Sequence, residues 1–224
     1  MINRVCLILL LFTGIFYGQD FWDDYYSRIE FTDYVTGERL LDHYHYNSIE
    51  NAIIPYLVNR NRDASILDVG SGAGHWIKFS QDLLVKPEIT VIDISSVCIE
   101  KLKTKFGKNI DYIKADFGDS LILGKYGLVF VIGILHHITG DNEFQQALKN
   151  IYNSLNDGGL CFIATEFSSR QFKSSEFLYK KYRTLDEWKD RLNKANLHIV
   201  NIVINQNDKL RKTPNSVLIV RKMK

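Results

Sequence analysis

The sequence has little cysteine and almost no excess of charge of either sign. Only three of its 224 residues are cysteines, and Cys6, Cys98 and Cys161 lie far apart. Their number and spacing fit neither a disulfide framework nor a metal centre, so we expect a reducing compartment and no metal. The 28 basic and 26 acidic residues leave a net charge of +2 without a dense Lys/Arg block. This balance predicts no nucleic-acid partner.

Internal repeats, low-complexity tracts and linkers are also missing, so nothing divides the chain into separate globular units. The first 19 residues nevertheless stand apart, with a basic start and an apolar run from Val5 to Tyr17. The run is short for a membrane-spanning helix and is typical of a secretory signal peptide, although Phe16 stands where a small residue is expected. An upstream start codon, a buried helix and a weak membrane contact are the alternatives.

Beyond this leader the sequence predicts a helical, aromatic cap over residues 20–61 and a core domain over residues 62–224. In the core, short apolar runs alternate with amphipathic stretches, which predicts a Rossmann-like, doubly wound α/β fold with a mostly parallel sheet. Two strand-like runs near the C-terminus are separated only by a loop, so we expect them to form an antiparallel hairpin. The predicted strands of the parallel part are Ser65–Val69, Ile89–Ile94, Ile110–Ala115, Leu128–Ile134 and Leu160–Glu166.

The stretch ILDVGSGAGHW, from Ile66 to Trp76, places three glycines directly after the first predicted strand. Glycine at such a turn lets the backbone approach a ligand closely, and the helix that follows offers free N–H groups. Asp68 before the turn suits a cationic ligand group, and no Gly-Lys-Ser/Thr follows, which argues against nucleotide triphosphate cleavage. The second strand ends on Asp93, which can accept hydrogen bonds from both hydroxyls of a ribose. His75 replaces the third glycine of a dinucleotide fingerprint, which disfavours an oxidoreductase.

Five segments resemble, in order and spacing, the motifs of the class I S-adenosylmethionine-dependent methyltransferases: ILDVGSGAG, VIDIS, IKADFGD, VFVIGILHHI and LNDGGLCFIATEF. The resemblance runs from about Ile66 to the C-terminus and implies S-adenosylmethionine as the methyl donor. It also implies a role for each matching position: the methionine portion at Asp68, Gly70, Ser71, Gly72 and Gly74, the ribose at Asp93, the adenine at Ile94, Asp116 and Phe117, and the donor wall at Gly133 and Ile134. The sequence departs from the family at Gly127, where an aspartate is common.

The acceptor implied by this resemblance is a small molecule. His136 and His137 follow the fourth strand, where one of them is a candidate general base for an oxygen or nitrogen acceptor. A structural role at the strand end is the alternative, and we favour it because many relatives with different acceptors carry a similar Leu-His-His. Aromatic residues of the cap and of a basic insertion around residues 168–183 are expected to shape the acceptor pocket; those of the cap are Trp22, Tyr25, Tyr26, Tyr44 and Tyr46.

Two other functions stay open on the sequence alone. One is a scaffold that binds S-adenosylmethionine without turnover, although the complete motif residues count against a degenerate pocket. The other is an aminopropyl transferase-like enzyme, which the absence of a notably acidic acceptor side disfavours. Because S-adenosylmethionine is made inside cells, we expect a cytoplasmic protein, with membrane association or export through residues 1–18 as the alternative.

Overall fold

The computed structural model describes residues 18–31, 40–58, 64–169, 172–173, 180–204 and 215–223, so the apolar leader and much of the basic insertion lie outside the described residues. In the described part of the chain, none of the helices combines the length and apolar character needed to cross a membrane. The elements, in chain order, are α1 (Gln19–Ser27), α2 (Leu40–Leu57), β1 (Ser65–Val69), α3 (His75–Leu83), β2 (Glu88–Asp93), α4 (Ser96–Phe106), β3 (Asp111–Lys114), β4 (Tyr126–Ile132), α5 (Asp141–Ser154), β5 (Leu155–Glu166), β6 (Phe172–Lys173), β7 (Lys181–Tyr182), α6 (Leu185–Lys194), β8 (Leu197–Ile204) and β9 (Asn215–Lys222).

The main sheet has seven strands in the order β3-β2-β1-β4-β5-β9-β8. Strands β1 to β5 are parallel to one another, whereas β9 pairs antiparallel with both β5 and β8. The predicted parallel sheet and terminal hairpin are therefore confirmed. The chain builds β1 to β3 toward one edge and then returns to place β4 on the other side of β1. Ligands in such sheets bind at this reversal, outside the carboxyl ends of the strands.

The core lies on both faces of the sheet because successive strand residues point to opposite sides. Ile66 and Phe130 face the layer formed by α2, α3 and α4, where Phe130 stacks between Trp76 and Phe162 with ring centroids 5.6 Å from each. Leu67 and its neighbours on the other face pack against α5 and α6. Two covered faces explain why the strands read as continuous apolar runs.

Strands β4 and β5 both begin earlier in the chain than the sequence predicts. β5 begins at Leu155 directly after α5, five residues before the predicted Leu160, because Leu155 pairs with Tyr126 ahead of an irregularity in the ladder. At Gly127, the backbone N–H donates to the Ser65 hydroxyl at 3.0 Å. This hydrogen bond from β4 to a serine at the start of β1 joins the beginnings of the two adjacent strands.

Candidate functional site

A cavity of about 780 Å³ opens at the carboxyl edge of the sheet, where β1 and β4 diverge. Its volume lies in the range of sites for small molecules and cofactors. The structure brings most of the predicted site residues to its wall: Gly70, Ser71, Gly72, Asp93, Ile94, Asp116, Phe117, Gly133, Ile134 and His137. The other three predicted site residues, Asp68, Gly74 and His136, do not line the cavity, and their contacts are described below.

The glycine turn is shaped by two close contacts that a side chain would prevent. Gly70 has a φ of +65°, and a Cβ there would collide with Ile134 Cδ1 across the cavity floor. Gly74 has a φ of +86° and begins α3, and a Cβ there would collide with the ring of Phe106 on α4. The third glycine therefore serves the packing of two helices, while the first lets β1 and the loop after β4 approach each other.

Asp68 lies beneath the turn and is only 1% exposed. Among the described residues, its Oδ2 atom has no hydrogen-bond partner. Burial raises the pKa of this carboxyl to about 7, a hydrogen bond from Ser71 opposes the rise, and the nearby charge of Asp93 adds to it. A buried carboxylate oxygen without a partner is costly, so this atom fits a ligand that brings a cationic donor.

Asp93 is held rigidly at the tip of β2. Its Oδ1 accepts a hydrogen bond from Ser95 N at 2.9 Å, and its Oδ2 accepts one from Cys98 Sγ at 3.4 Å. Burial raises the pKa of the carboxyl to about 6, although hydrogen bonds from Ser95, Cys98 and the Gly72 N–H favour the charged form. The carboxylate is thus joined to the glycine turn and faces the cavity in one fixed orientation.

The loop after β3 closes a third side of the cavity. Asp116 Oδ1 accepts a hydrogen bond from Gly118 N at 2.8 Å, and Phe117 is buried. Asn150, a buried residue of α5, donates to the carbonyls of Phe117 and Ser120 at 2.8 Å each. No sequence pattern marks Asn150, because a polar residue on an amphipathic helix carries no sign of the loop that it will contact.

Aromatic side chains of the cap form the opposite wall. Trp22, Tyr25, Tyr26 and Tyr46 line the cavity, whereas the side chain of Tyr44 lies outside the described residues. The His137 ring meets the Trp22 ring edge to face, with centroids 5.0 Å apart. His136 lies behind it, and its carbonyl accepts a hydrogen bond from Lys181 N at 2.8 Å. Of the two candidate histidines, His137 therefore reaches the cavity.

His75 also lines the cavity, and its contacts could not be predicted from the sequence. Its Nε2 lies 2.8 Å from Glu50 Oε1, and the Tyr46 ring stacks on its imidazole with centroids 4.1 Å apart. Glu50 and Tyr46 belong to α2, so only the packing of that helix brings them to the start of α3. Within the described ranges there is no group of three or more His, Cys, Asp or Glu residues that could hold a metal ion.

The fold defines an α/β protein with a cavity at the reversal of its sheet, where proteins of this architecture bind their ligands. Residues 66–159 match the family model described as a methyltransferase domain. A curated relative, a malonyl-[acyl-carrier protein] O-methyltransferase of Anoxybacillus flavithermus, is 28% identical over 109 residues, which are 48% of this chain and 40% of that protein. The chain thus spans less than half the length of this relative.

Several solved structures share the fold at low sequence identity. A SAM-dependent methyltransferase of Leishmania major has a TM-score of 0.75 at 19% identity, covering 93% of this chain and 87% of its own. The N-methyltransferase NodS of Bradyrhizobium japonicum, in complex with S-adenosyl-L-homocysteine, has a TM-score of 0.66 at 14% identity, covering 90% and 98%. A DhpI-SAM-HEP complex has the same TM-score at 15% identity, covering 94% and 100%.

The motifs, the family model and the fold agree. Residues 66–159 thus match a methyltransferase domain, and the fold is one that S-adenosylmethionine-dependent methyltransferases share.

Proposed function

We propose that this protein transfers the methyl group of S-adenosylmethionine to a small-molecule acceptor. The observation that carries the proposal is the buried Asp68 Oδ2, which lacks a partner among the described residues, beneath a glycine turn and beside a fixed Asp93. Its environment suits the ammonium group of an amino-acid ligand, while Asp93 suits a ribose. S-Adenosylmethionine carries both groups.

The proposed donor site uses the predicted positions with the surroundings that the structure gives them. The methionine portion is assigned to Asp68, Gly70, Ser71, Gly72 and Gly74, the ribose to Asp93, the adenine to Ile94, Asp116 and Phe117, and the remaining wall to Gly133 and Ile134. Gly74 acts indirectly in this scheme, because its lack of a side chain lets the start of α3 pack closely against Phe106 of α4. When bound, the donor supplies an activated methyl group.

On the acceptor side, the protein's own contribution is alignment and the exclusion of water. Trp22 and Tyr25 of α1, together with His137, enclose the open end of the cavity. Correct alignment of two reactants contributes about 7–11 kcal/mol to lowering a barrier. His137 is the histidine placed to take a proton from an acceptor oxygen or nitrogen, and its contact with Trp22 supports a structural role equally well.

The division of the chain belongs to the same proposal. Residues 20–61 act as a cap, because α1 and α2 both provide walls of the cavity, and residues 62–224 form the core. A cytoplasmic site of action is proposed on the chemistry of the donor, which is made inside cells.

Transfer of labelled methyl groups tests the proposal directly. The purified protein is incubated with S-adenosylmethionine labelled at the methyl carbon and a cell extract, which is then separated into small molecules, proteins and nucleic acids. We expect label in the small-molecule fraction and none with the Asp93→Asn variant, since the variant lacks the carboxylate for the ribose.

Other outcomes separate the alternatives. Binding of the donor without transfer to any fraction would indicate a scaffold, and label in a macromolecule would rule out a small acceptor. An aminopropyl transferase would instead use the decarboxylated donor, which is tested in a parallel incubation.

A further inference from the structure

An aspartate of α1 reaches across to the start of α4. The Asp23 carboxylate accepts hydrogen bonds from the Ser95 hydroxyl at 2.6 Å, the Ser96 hydroxyl at 3.1 Å and the Val97 N–H at 3.2 Å. Partial burial raises the pKa of Asp23, but hydrogen bonds from Ser95, Gln19, Val97 and Ser96 outweigh it and bring the value to about 2. A carboxylate at a helix N-terminus is also favoured by the helix dipole.

The same serine contacts the carboxylate assigned to the ribose. Ser95 N donates to Asp93 Oδ1 at 2.9 Å, while its hydroxyl accepts a hydrogen bond from Cys98 N at 3.0 Å and donates to Asp23. Ser95 is fully buried, so its hydroxyl has no water to replace a lost partner. A continuous set of hydrogen bonds therefore runs from Asp23 through Ser95 to Asp93.

The far end of α1 is fixed independently. Lys101 of α4 donates to the carbonyls of Tyr26, in the last turn of α1, and of Ile29, just beyond its end. Held at its middle and at its C-terminal end, α1 presents Trp22 and Tyr26 to the cavity. Asp23 thus joins α1 to α4, while aromatic residues of the same helix line the cavity.

We propose that Asp23 is a positioning residue for Asp93, so that the cap helix α1 takes part in recognising the donor's ribose. The inference rests on the proposed function, because it takes the ligand of Asp93 to be a ribose. Without the Asp23 carboxylate, the Ser95 hydroxyl loses its acceptor and the loop that carries the Ser95 N–H is no longer held against Asp93.

The experiment compares two ligands that differ in one hydroxyl group. Dissociation constants of S-adenosylhomocysteine and its 2′-deoxyribose analogue are measured by calorimetry on the full-length protein. The wild-type protein is expected to prefer the ribose form about tenfold or more, as a hydrogen bond to a charged acceptor implies. Asp93→Asn should abolish most of this preference, and Asp23→Asn should reduce it by about threefold or more.

The neighbouring Asp24 provides the matched control. It is exposed on the same helix, and in the described structure its carboxylate pairs only with Arg28, so Asp24→Asn should keep the wild-type preference. A role for Asp23 in holding the fold alone would weaken both ligands equally and leave the ratio unchanged. That result, with the variant folded by circular dichroism, would overturn the inference.

A second variant covers the case in which Asp23→Asn does not fold. Asp23→Ala also removes the carboxylate, without placing an amide donor opposite the Ser95 hydroxyl, and its ratio should lie between those of the wild type and Asp93→Asn. A wild-type ratio in folded Asp23→Ala, with Asp23→Asn unfolded, would equally overturn the inference. Failure of the wild-type protein to bind either ligand would instead refute the proposed function.

Discussion

Gly70 combines a left-handed backbone with a contact that leaves no space for a methyl group. Its φ is +65°, and an added Cβ would collide with the side chain of Ile134, a partly buried residue in the loop after β4. Backbone strain and the collision of an added Cβ would each lower the stability of the fold. Another glycine of the chain has the backbone strain without the collision. At Gly158, φ is +76° and an added Cβ meets nothing within 4 Å.

The pair Gly70→Ala and Gly158→Ala therefore separates the two costs. We expect Gly158→Ala to lower the free energy of unfolding by about 1 kcal/mol, from the left-handed conformation alone. Gly70→Ala should lower it by about 3 kcal/mol, because overpacking adds to the strain. Urea unfolding measures both, and equal losses would show that Ile134 moves aside without cost.

Asp68 makes the stability of the ligand-free protein depend on pH. Its folded pKa, about 7, lies above the ordinary value of 3.8, so the folded state binds more protons than the unfolded state between these values. The contribution of Asp68 to the free energy of unfolding is therefore largest below pH 4 and falls as the pH rises toward 7. Asp68→Asn should flatten the decline in urea unfolding series between about pH 4 and 7.

Asp93, with a pKa of about 6, also makes the free energy of unfolding fall as the pH rises, but its contribution ends near pH 6. The Asp68→Asn variant should therefore keep a residual slope below pH 6 and lose the slope between pH 6 and 7. Parallel profiles of variant and wild type would contradict a raised pKa at Asp68.

At the scale of elements, the short strand β7 is bound to the start of α5 by a cluster of charges. Asp141 accepts a hydrogen bond from Lys181 Nζ at 2.6 Å and lies 3.6 Å from Arg183 Nη2. The Arg183 side chain is 1% exposed and sits over the Phe144 ring at 3.6 Å. The cluster fixes the segment that places Lys180 at the cavity.

Removing Asp141 should cost more than removing an ordinary surface acid. We expect Asp141→Asn to lower the free energy of unfolding by about 1–2 kcal/mol, because a buried guanidinium loses a partner while Asp141 itself is half exposed. Asp190→Asn, which breaks an exposed pair with Lys194, should cost about 0.5 kcal/mol or less. Chemical denaturation of both variants checks the contrast, and similar losses would count against the cluster.

At the scale of the whole molecule, the ligand should stabilise the fold by mass action. The proposed donor site draws on β1, β2, β4 and the cap helix α1, so a ligand there is expected to bind only when these elements are assembled. S-Adenosylhomocysteine at about 100 times its dissociation constant should then raise the free energy of unfolding by about 2.7 kcal/mol.

Asp93→Asn at the same ligand concentration should show a much smaller increase, because its affinity is lower. Thermal or urea unfolding with and without the ligand makes the measurement. An equal increase in variant and wild type would place the ligand away from Asp93.

The amino-acid sequence by itself determined the order of strands and helices, the hairpin at the C-terminus and the turn at the tip of β1. These features depend on local patterns: apolar runs, helical periodicity and glycine. The start of α6 is also set locally, because Thr184 and Glu187 have the Ser/Thr-x-x-Glu spacing of a capping box and the Thr184 hydroxyl accepts a hydrogen bond from Glu187 N at 3.1 Å. Asp68 and Asp93 follow from the same patterns, because they lie in strands that share an edge.

Only the tertiary structure decided what surrounds those residues. The contacts of Asp23 with Ser95, of Glu50 with His75 and of Asn150 with the loop after β3 join positions far apart in the chain. Each arises because one helix packs at a particular angle and register on another element. Side-chain packing sets that angle, and no local pattern in the sequence records which polar residue will meet which.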